Sequence, residues 1–225
     1  MNEFKRIVSL IGEDNFKKIQ NKKVIIFGLG GVGGICIEAL VRSGISYVGL
    51  VDKDVVDETN INRQVIAFHS TVSKNKVDVM EKMLLDINPK CFIQKYNMFY
   101  LPDNDNIDLK QYDYIIDCMD NVSAKVHLII KAKENNIKII SSMGTGNKQD
   151  ITKFKIASIN QTSICPLAKV MRYELKKHNI SDVKVLYSLE DSKKTNDNEI
   201  SSMMTVVASA GLLIADWVLK DIINS

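Results

Sequence analysis

The fold class of this chain is decided by ten residues, Val24-Ile25-Ile26-Phe27-Gly28-Leu29-Gly30-Gly31-Val32-Gly33. The four apolar residues predict a short buried strand, and the GxGxxG spacing after them predicts a phosphate-binding turn. In such a turn Gly28 permits a tight bend, Gly30 lets a phosphate approach the backbone, and Gly33 allows helix and strand to pack closely. A helical pattern at 35–42 follows, so the sequence predicts a strand–turn–helix unit that binds an anion at the start of its helix.

Strands and helical patterns alternate over the first two thirds of the chain. We predict strands at 24–27, 47–51, 92–96, 112–117 and 137–141, and helices at 35–42, 72–87 and 123–135. The contact face of the 72–87 helix is predicted to be Val72, Lys76, Val79, Met83 and Ile87. A helical segment at 4–20, with a break near Gly12, precedes the first strand. This alternation predicts an α/β fold, a Rossmann-like doubly wound and mostly parallel sheet with helices on both faces.

The rhythm of the sequence changes after Met143. We predict strands at 151–159 and 183–189, a basic amphipathic helix at 167–178, a mobile polar loop at 190–200 and a C-terminal helix at 203–219. Ser209, Gly211 and Asp216 interrupt the apolar run of the last helix, which favours a buried helix over a membrane span. We therefore expect one domain over 1–225 with an extended C-terminal part.

Composition sets limits on the class of protein. The chain has 225 residues, 45% of them hydrophobic, and a net charge of +3, which is too small to imply nucleic acid by itself. Its four cysteines, Cys36, Cys91, Cys118 and Cys165, form no CxxC pair, which argues against a structural zinc site. Cys36 and Cys118 are predicted core residues. With no signal peptide, we expect a reducing, cytoplasmic location.

A cluster of polar residues follows the second strand. Asp52 ends that strand about 20 residues after the glycines, where a carboxylate can hold ribose hydroxyls, so these features alone predict a nicotinamide dehydrogenase. The residues that come next favour a nucleoside triphosphate instead: Asp54, Asn60, Asn62, Arg63 and Gln64. A guanidinium pairs with phosphate in a bidentate manner, and amides bridge phosphate oxygens or the water shell of a metal.

Two more charged residues complete the candidate site. Lys76 can supply a point charge at the α-phosphate, although a solvated helix lysine is the alternative. Asp120 lies just past the fourth strand, at the sheet edge where ligands bind, and is a candidate Mg²⁺ ligand. The alternative for Asp120 is an N-cap of the next helix, a role that Asn121 is equally able to fill.

The order of these motifs resembles the ubiquitin-activating-enzyme-like (ThiF/MoeB-type) adenylating superfamily. The motifs that carry the resemblance are GxGGxG at Gly28, Gly30, Gly31 and Gly33, Asp52-x-Asp54, Asn60-x-Asn62-Arg63-Gln64, Lys76 and Asp120-Asn121. The resemblance implies ATP-dependent attack of a carboxylate on the α-phosphate, giving an acyl-adenylate and pyrophosphate. It also implies that Asp52 takes ribose, that Asn62, Arg63 and Lys76 take phosphates, and that Asp120 takes Mg²⁺.

Three further segments, 66–71, 141–148 and 162–172, look like the tRNA threonylcarbamoyladenosine dehydratase branch of that superfamily. The branch implies a tRNA that carries threonylcarbamoyladenosine, ring closure with release of AMP, and a homodimer. Relatives commonly carry two N-terminal arginines, whereas this chain has Arg6 but Glu3 at the other position. Arg6 is therefore the one candidate for action across a dimer.

Other readings of these motifs stay open. Adenylation of a sulfur carrier's C-terminal glycine is one, although the missing CxxC pairs argue against the zinc-bearing branch. A nicotinamide oxidoreductase or a binding module on the same fold is another, and a sulfur-transfer protein is left open as a partner.

The basic helix and one cysteine are further candidates. Lys169, Arg172, Lys176 and Lys177 are predicted to contact tRNA phosphates, with an ordinary solvated helix face as the alternative. Cys165, just before Pro166, is able in principle to form a thioester, but ring closure by the substrate's own atoms does not need one.

Overall fold

A seven-stranded sheet organises the chain in the computed structural model, which describes residues 3–193 and 200–225. Its strands are β1 (Lys23–Phe27), β2 (Tyr47–Val51), β3 (Phe92–Tyr96), β4 (Tyr114–Asp117), β5 (Lys138–Ser142), β6 (Phe154–Ser158) and β7 (Lys184–Ser188). Their spatial order is β3-β2-β1-β4-β5-β7-β6, and every neighbouring pair is parallel except β6 with β7. The predicted mostly parallel α/β sheet is confirmed.

Helices cover both faces of this sheet. They are α1 (Lys5–Ile11), α2 (Glu13–Gln20), α3 (Gly33–Arg42), α4 (Lys76–Ile87), α5 (Val122–Glu134), α6 (Pro166–Lys176) and α7 (Met204–Ile223). Side chains of a strand alternate between the faces, so Val24 and Ile26 of β1 join a core with α3, α4 and α7, whereas Ile25 and Phe27 join a core with α5 and α6. The predicted break between the first two helices lies at Gly12, whose φ is +85°.

The strand order reverses between β1 and β4. From β1 the chain builds outward through β2 to β3, and then crosses to β4 and β5 on the other side. The two halves therefore diverge at the carboxyl ends of β1 and β4, which is where doubly wound sheets bind their ligands. The glycine turn follows β1 and Asp120 follows β4, so the fold brings both to this crevice.

The helix predicted at 72–87 was placed too early, because α4 begins only at Lys76. Ser73 has a left-handed backbone with a φ of +67°, and Asn75 forms an isolated β-bridge with Val55. Both features hold the chain in a non-helical path until Asn75. Four residues of the predicted contact face do contact the core, since Lys76 is buried and Val79, Met83 and Ile87 pack against the core. The most buried apolar residues of α4, which the prediction did not include, are Val77, Met80 and Leu84.

Several other predicted bounds were wrong by a few residues. The strand predicted at 151–159 opens as a 3-10 turn, because the Asp150 carboxylate accepts hydrogen bonds from the backbone N–H and the hydroxyl of Thr152, at 2.9 and 2.5 Å. β4 starts at Tyr114 rather than at 112, after a 3-10 turn, and α3 starts two residues earlier than predicted. These local hydrogen bonds compete with the regular elements that periodicity alone predicts.

The C-terminal part closes one face of the sheet. α7 packs along α3 and α2 and buries Val206, Ala210, Ile214 and Val218 among its apolar residues, which confirms the predicted buried helix. Across the described ranges, no helix has both the length and the apolar composition needed to cross a membrane. Of the predicted mobile loop, 194–199 lies outside the described residues. The preceding Glu190 is held in place, because its carboxylate accepts the backbone N–H groups of Gln149 and Asp150.

Candidate active site

A cavity of about 400 Å³ opens at the carboxyl ends of β1, β2 and β4. Ten of the predicted site residues line it: Gly28, Gly30, Gly31, Asp52, Asp54, Asn60, Arg63, Gln64, Lys76 and Asp120. Within the described part of the chain its wall does not include Gly33, Asn62 or Asn121. The fold therefore gathers most of the predicted residues, from four separate segments, around one space.

The glycine turn is built by very close backbone packing. Gly28 has a φ of +90°, and a Cβ on it would lie 2.7 Å from the carbonyl oxygen of Cys118. A Cβ on Gly33 would lie 1.9 Å from the Gly28 carbonyl oxygen, so neither position tolerates a side chain. The space beside Gly30 is open, with Gln64 Nε2 4.0 Å from the corresponding Cβ position. Of these three glycines, Gly30 has the most open space beside it for a ligand.

Asp52 ties the glycine turn to the end of β2. Its Oδ2 accepts the Leu29 N–H at 2.6 Å, and its Oδ1 accepts the Asp54 N–H at 2.8 Å. Each carboxylate oxygen has two lone pairs, so one acceptor position stays available on each for a ribose hydroxyl. The same carboxylate thus shapes the turn and faces the cavity.

Lys76 and Asp54 form an ion pair at the cavity wall, with Nζ 3.0 Å from Oδ2. The lysine side chain is only 7% exposed, whereas the aspartate side chain is 51% exposed. The ammonium group is therefore aimed into the cavity by its surroundings, while its partner is half in solvent. An arriving phosphate is able to replace the carboxylate without leaving a buried charge behind.

The two asparagines of the Asn-x-Asn motif have different positions. Asn60 is buried, and its side-chain oxygen accepts the Asp57 N–H at 3.2 Å, which closes a capped turn. Asn62 donates from Nδ2 to the Ser202 carbonyl at 3.0 Å and so joins this turn to the segment that leads into α7. In the structure both amides organise the loop that carries Arg63.

Arg63 and Gln64 face the cavity beside them. The Arg63 Nη1 group donates to the Thr59 carbonyl at 2.7 Å and to the Asn62 side-chain oxygen at 2.9 Å, which leaves other guanidinium donors for a ligand. The Gln64 side-chain oxygen is buried without a hydrogen-bond partner among the described residues. A buried polar atom without a partner costs free energy, so a ligand that pairs with it is stabilised there.

Asp120 is exposed on the cavity rim, on the loop after β4. The neighbouring Asn121 caps α5, because its side-chain oxygen accepts the Ala124 N–H at 2.9 Å. The capping role that competed for Asp120 is therefore filled by Asn121, and the Asp120 carboxylate is free to contact a ligand or a metal ion.

A model of the ThiF family matches residues 4–225, nearly the whole chain. This chain belongs to the ThiF family. It is 38% identical to the Bacillus subtilis tRNA threonylcarbamoyladenosine dehydratase over all of this chain and 96% of the relative, and 38% identical to the Haemophilus influenzae enzyme of that name over 77% and 67%. The crystal structure of the Escherichia coli enzyme in complex with ATP superposes with a TM-score of 0.92 at 29% identity, covering 99% of this chain and 94% of the other.

The most buried charges of this ThiF-family chain were missed by sequence reasoning. Lys125 of α5 and Asp117 of β4 pair at 2.9 Å, and both side chains are 0% exposed. Lys125 also donates to the Met119 carbonyl at 3.0 Å, and Asp117 accepts the Ser141 hydroxyl at 2.6 Å and the Met119 N–H at 3.1 Å. The network therefore fixes the backbone directly before Asp120. The signal in the sequence was Asp117 itself, an acid inside an apolar strand.

The end of β3 was missed as well. Met98, Phe99 and Tyr100 line the cavity, and the Lys53 ammonium lies 4.2 Å from the centre of the Phe99 ring. The Tyr100 hydroxyl is buried without a partner in the described residues, and burial raises its pKa above the usual value. Its position after a strand that neighbours β2 was the available signal, since carboxyl ends of parallel strands meet at one edge.

The cysteines are poor nucleophiles in this structure. Cys36 is fully buried, as predicted, whereas Cys118 is half-buried and also lines the cavity. Burial, with a smaller effect of Asp117, raises the pKa of the Cys118 thiol to about 12, so it is protonated at neutral pH. Cys165 is buried under the start of α6, which argues against a thioester at this sulfur.

The basic patch on α6 is smaller than predicted. Lys169, Lys176 and Lys177 are exposed, and Lys177 pairs with Glu174 at 2.8 Å. Arg172 is different, because its Nη1 group donates to both the carbonyl and the hydroxyl of Thr162. Its guanidinium holds the loop before α6, and the Arg172 side chain is half-buried.

Proposed function

We propose that this chain catalyses the ATP-dependent dehydration of threonylcarbamoyladenosine beside the anticodon of tRNA. The observation that carries the proposal is the cavity, where the glycine turn, Asp52, Arg63, Lys76 and Asp120 face one space large enough for a nucleotide. The names of the relatives that match over most of this chain support the choice of substrate.

The chemistry follows from how these groups surround a triphosphate. The substrate's threonyl carboxylate oxygen bonds to the α-phosphorus while the bond to the β-phosphate oxygen breaks, which releases pyrophosphate. An atom of the same threonylcarbamoyl group then attacks the activated carbonyl carbon, AMP leaves with the former carboxylate oxygen, and the attacking group releases a proton to solvent. The nucleophile belongs to the substrate, so the protein's tasks are to position two nucleotides and to stabilise charge.

Each predicted residue has a task in this scheme. Asp52 accepts hydrogen bonds from ribose hydroxyls, and Gly30 and Gly31 border the phosphates. Lys76 leaves Asp54 for the α-phosphate, where negative charge develops. Arg63 pairs with the β- or γ-phosphate, while Asn60, Asn62, Gln64 and Asn121 shape or complete the surrounding wall.

The donor set also fits a magnesium ion. Mg²⁺ is usually held by one or two carboxylates together with phosphate oxygens and water, and Asp120 provides an exposed carboxylate on the rim of the cavity. When bound, the ion would neutralise charge on the phosphates. The hydrogen bonds of Asp117 and Lys125 with the Met119 backbone hold the loop that carries Asp120 in place for this task.

The remaining parts of the proposal concern partners and location. Lys169, Lys176 and Lys177 would contact tRNA phosphates from the exposed side of α6, with Arg172 as their structural support. We propose a homodimer, in which the exposed Arg6 of α1 reaches the partner's nucleotide, and a cytoplasmic location. A sulfur-transfer protein enters as a partner to be tested by co-purification.

Mass spectrometry of tRNA nucleosides provides the direct test. Incubation with ATP and tRNA bearing threonylcarbamoyladenosine is expected to lower the mass of that nucleoside by one water and to release pyrophosphate. A ubiquitin-like sulfur carrier offered instead is expected to remain unmodified. Pyrophosphate release with the carrier and none with the tRNA would overturn the proposal in favour of carrier adenylation.

Two variants test the site itself. Arg63→Ala and Asp120→Ala are each expected to lower pyrophosphate release by about 100-fold or more, because the first removes a positive charge that pairs with the phosphates and the second removes the carboxylate proposed to hold Mg²⁺. Arg42→Ala and Asp216→Ala are matched controls, since these side chains form exposed i,i+4 pairs on α3 and α7. Full activity in Arg63→Ala and Asp120→Ala would show that the phosphate and metal assignments are wrong.

A further inference from the structure

The exposed face of α6 has an aromatic ring at its centre. Tyr173 is 65% exposed, and its neighbours on the helix surface are Lys169, four residues before it, and Lys176 and Lys177, three and four residues after it. The Lys177 ammonium lies 4.5 Å from the centre of the Tyr173 ring. The ring thus lies between three lysines, of which Lys177 is also paired with Glu174 at 2.8 Å.

Apolar side chains extend this surface toward the start of the helix. Val170 is 45% exposed and Ile164 is 51% exposed, the latter on a left-handed backbone with a φ of +64°. The surface thus combines a flat aromatic ring, aliphatic groups and ammonium groups. Proteins recognise unpaired bases with this combination, because bases stack on aromatic rings while lysines contact the phosphates between them.

The start of α6 lies against the loop that borders the active-site cavity. A Cβ placed on Gly144 would be 3.9 Å from Cys165 Sγ and 4.0 Å from Leu167 Cβ, and the next two residues, Thr145 and Gly146, line the cavity. Six residues separate Leu167 from Tyr173, which is about 9 Å at 1.5 Å per helical residue. A few nucleotides of single-stranded RNA are long enough to join the cavity to the ring.

We propose that Tyr173 is a stacking platform for an unpaired base of the anticodon loop, one that lies near the adenosine being modified. Lys169, Lys176 and Lys177 contact the phosphates on either side of that base. This inference rests on the proposed function and adds to it a specific recognition surface. The exposed part of the surface is built from α6 and the residue Ile164 before it.

Binding of tRNA to three variants tests the platform. Tyr173→Ala is expected to weaken the binding of tRNA bearing threonylcarbamoyladenosine by roughly 5- to 100-fold, the range for loss of one base–aromatic stack. Tyr173→Phe keeps the ring and is expected to bind as the unsubstituted protein does. Phe92→Ala, which removes an aromatic ring of similar exposure on the opposite edge of the sheet, is the control and is expected to leave the affinity unchanged.

The salt dependence of binding distinguishes the ring from the lysines. Lys169→Ala and Lys176→Ala are each expected to reduce the slope of log affinity against log salt by about 1, whereas Tyr173→Ala leaves the slope unchanged. Unchanged affinity in Tyr173→Ala, equal losses in Tyr173→Ala and Tyr173→Phe, or a change of oligomeric state in Tyr173→Ala would each overturn the platform. If the unsubstituted protein bound no tRNA yet released pyrophosphate with another substrate, the proposed function would fail along with the platform.

Discussion

Two lysine–aspartate pairs near the candidate active site differ in what surrounds them. Lys76 and Asp54 line the cavity, whereas Lys125 and Asp117 reach it only through hydrogen bonds with Met119, which lines it. Lys125 and Asp117 are 2.9 Å apart and both fully buried, whereas Lys76 and Asp54 are 3.0 Å apart with the aspartate 51% exposed. The distances are almost equal, so geometry alone would give the two pairs the same importance. Their environments assign them different tasks, and we call Lys125–Asp117 the sealed pair and Lys76–Asp54 the open pair.

The sealed pair is expensive to keep. Removing two charges from water costs several kcal/mol for each ion, and replacement of such a pair by neutral groups of similar size is often neutral or stabilising. The pair has a local structural effect, because Lys125 and Asp117 together bind the carbonyl and the N–H of Met119, one residue before Asp120. In the part of the chain that the structure describes, the side chains of the open pair hold no backbone group, so Lys76 is able to exchange the Asp54 carboxylate for a phosphate.

Breaking the sealed pair on one side should have the largest effect on stability. Lys125→Met leaves the Asp117 carboxylate buried without its counter-ion, so unfolding is expected to become easier by about 3–5 kcal/mol. For a chain of this size that lowers the melting temperature by roughly 10 °C. Thermal and denaturant unfolding measure the effect, with Lys133→Met, an exposed lysine of the same helix, as the control. A variant as stable as the control would show that the pair is not energetically coupled.

Neutralising both sides separates stability from positioning. Lys125→Met combined with Asp117→Asn keeps an acceptor oxygen for the Met119 N–H, and the new amide nitrogen is able to donate to the Ser141 hydroxyl. The double variant has no buried charge, so its stability is expected to return to within about 1 kcal/mol of the unsubstituted protein. The Met119 carbonyl has still lost its donor, so the Asp120 loop is less well fixed. We expect pyrophosphate release to remain at least about 10-fold below that of the unsubstituted protein.

The Mg²⁺ concentration at half-maximal pyrophosphate release is expected to rise in this double variant, because Asp120 is proposed to hold the ion. A merely structural pair predicts that activity and stability recover together. Recovery of full activity at unchanged Mg²⁺ dependence would contradict the positioning role.

The two pairs also show what the sequence allowed and what it did not. The β1–turn–α3 unit was predictable, because the left-handed backbone of Gly28 and the contact of Gly33 with the Gly28 carbonyl both arise within six residues. Lys76 was identified because it belongs to an ordered series of motifs. Lys125 was not identified. Its side chain is buried because it pairs with Asp117 of β4, and the periodicity of α5 carries no information about that strand.

The same limit explains the errors in the fold. The start of α4 depends on the bridge between Val55 and Asn75, which are twenty residues apart, and on the left-handed backbone of Ser73. The hydrogen bonds of Arg172 were not predicted, because their acceptors lie at Thr162, in the loop before α6. Local pattern predicted the elements, and contacts between distant segments decided their ends and which charges are free.

Substitutions in the open pair are expected to change nucleotide binding in opposite directions, with the smallest changes in stability. Lys76→Met removes the donor to the phosphate, so ATP affinity should fall by roughly 10- to 100-fold, the value of one charge-assisted hydrogen bond. Asp54→Asn removes the carboxylate that competes for Lys76 and repels the triphosphate, so ATP should bind a few-fold more tightly. Stability should change by no more than about 1 kcal/mol in Lys76→Met, since the unpaired Asp54 that it leaves is half in solvent.

Titration calorimetry with EDTA present isolates this electrostatic effect from any metal contact. If a phosphate replaces Asp54 at Lys76, the change in ATP affinity must have opposite signs in the two variants. Equal weakening in both would mean that Asp54 contacts the nucleotide itself, and the Lys76–Asp54 pair would then be a fixed part of the cavity wall.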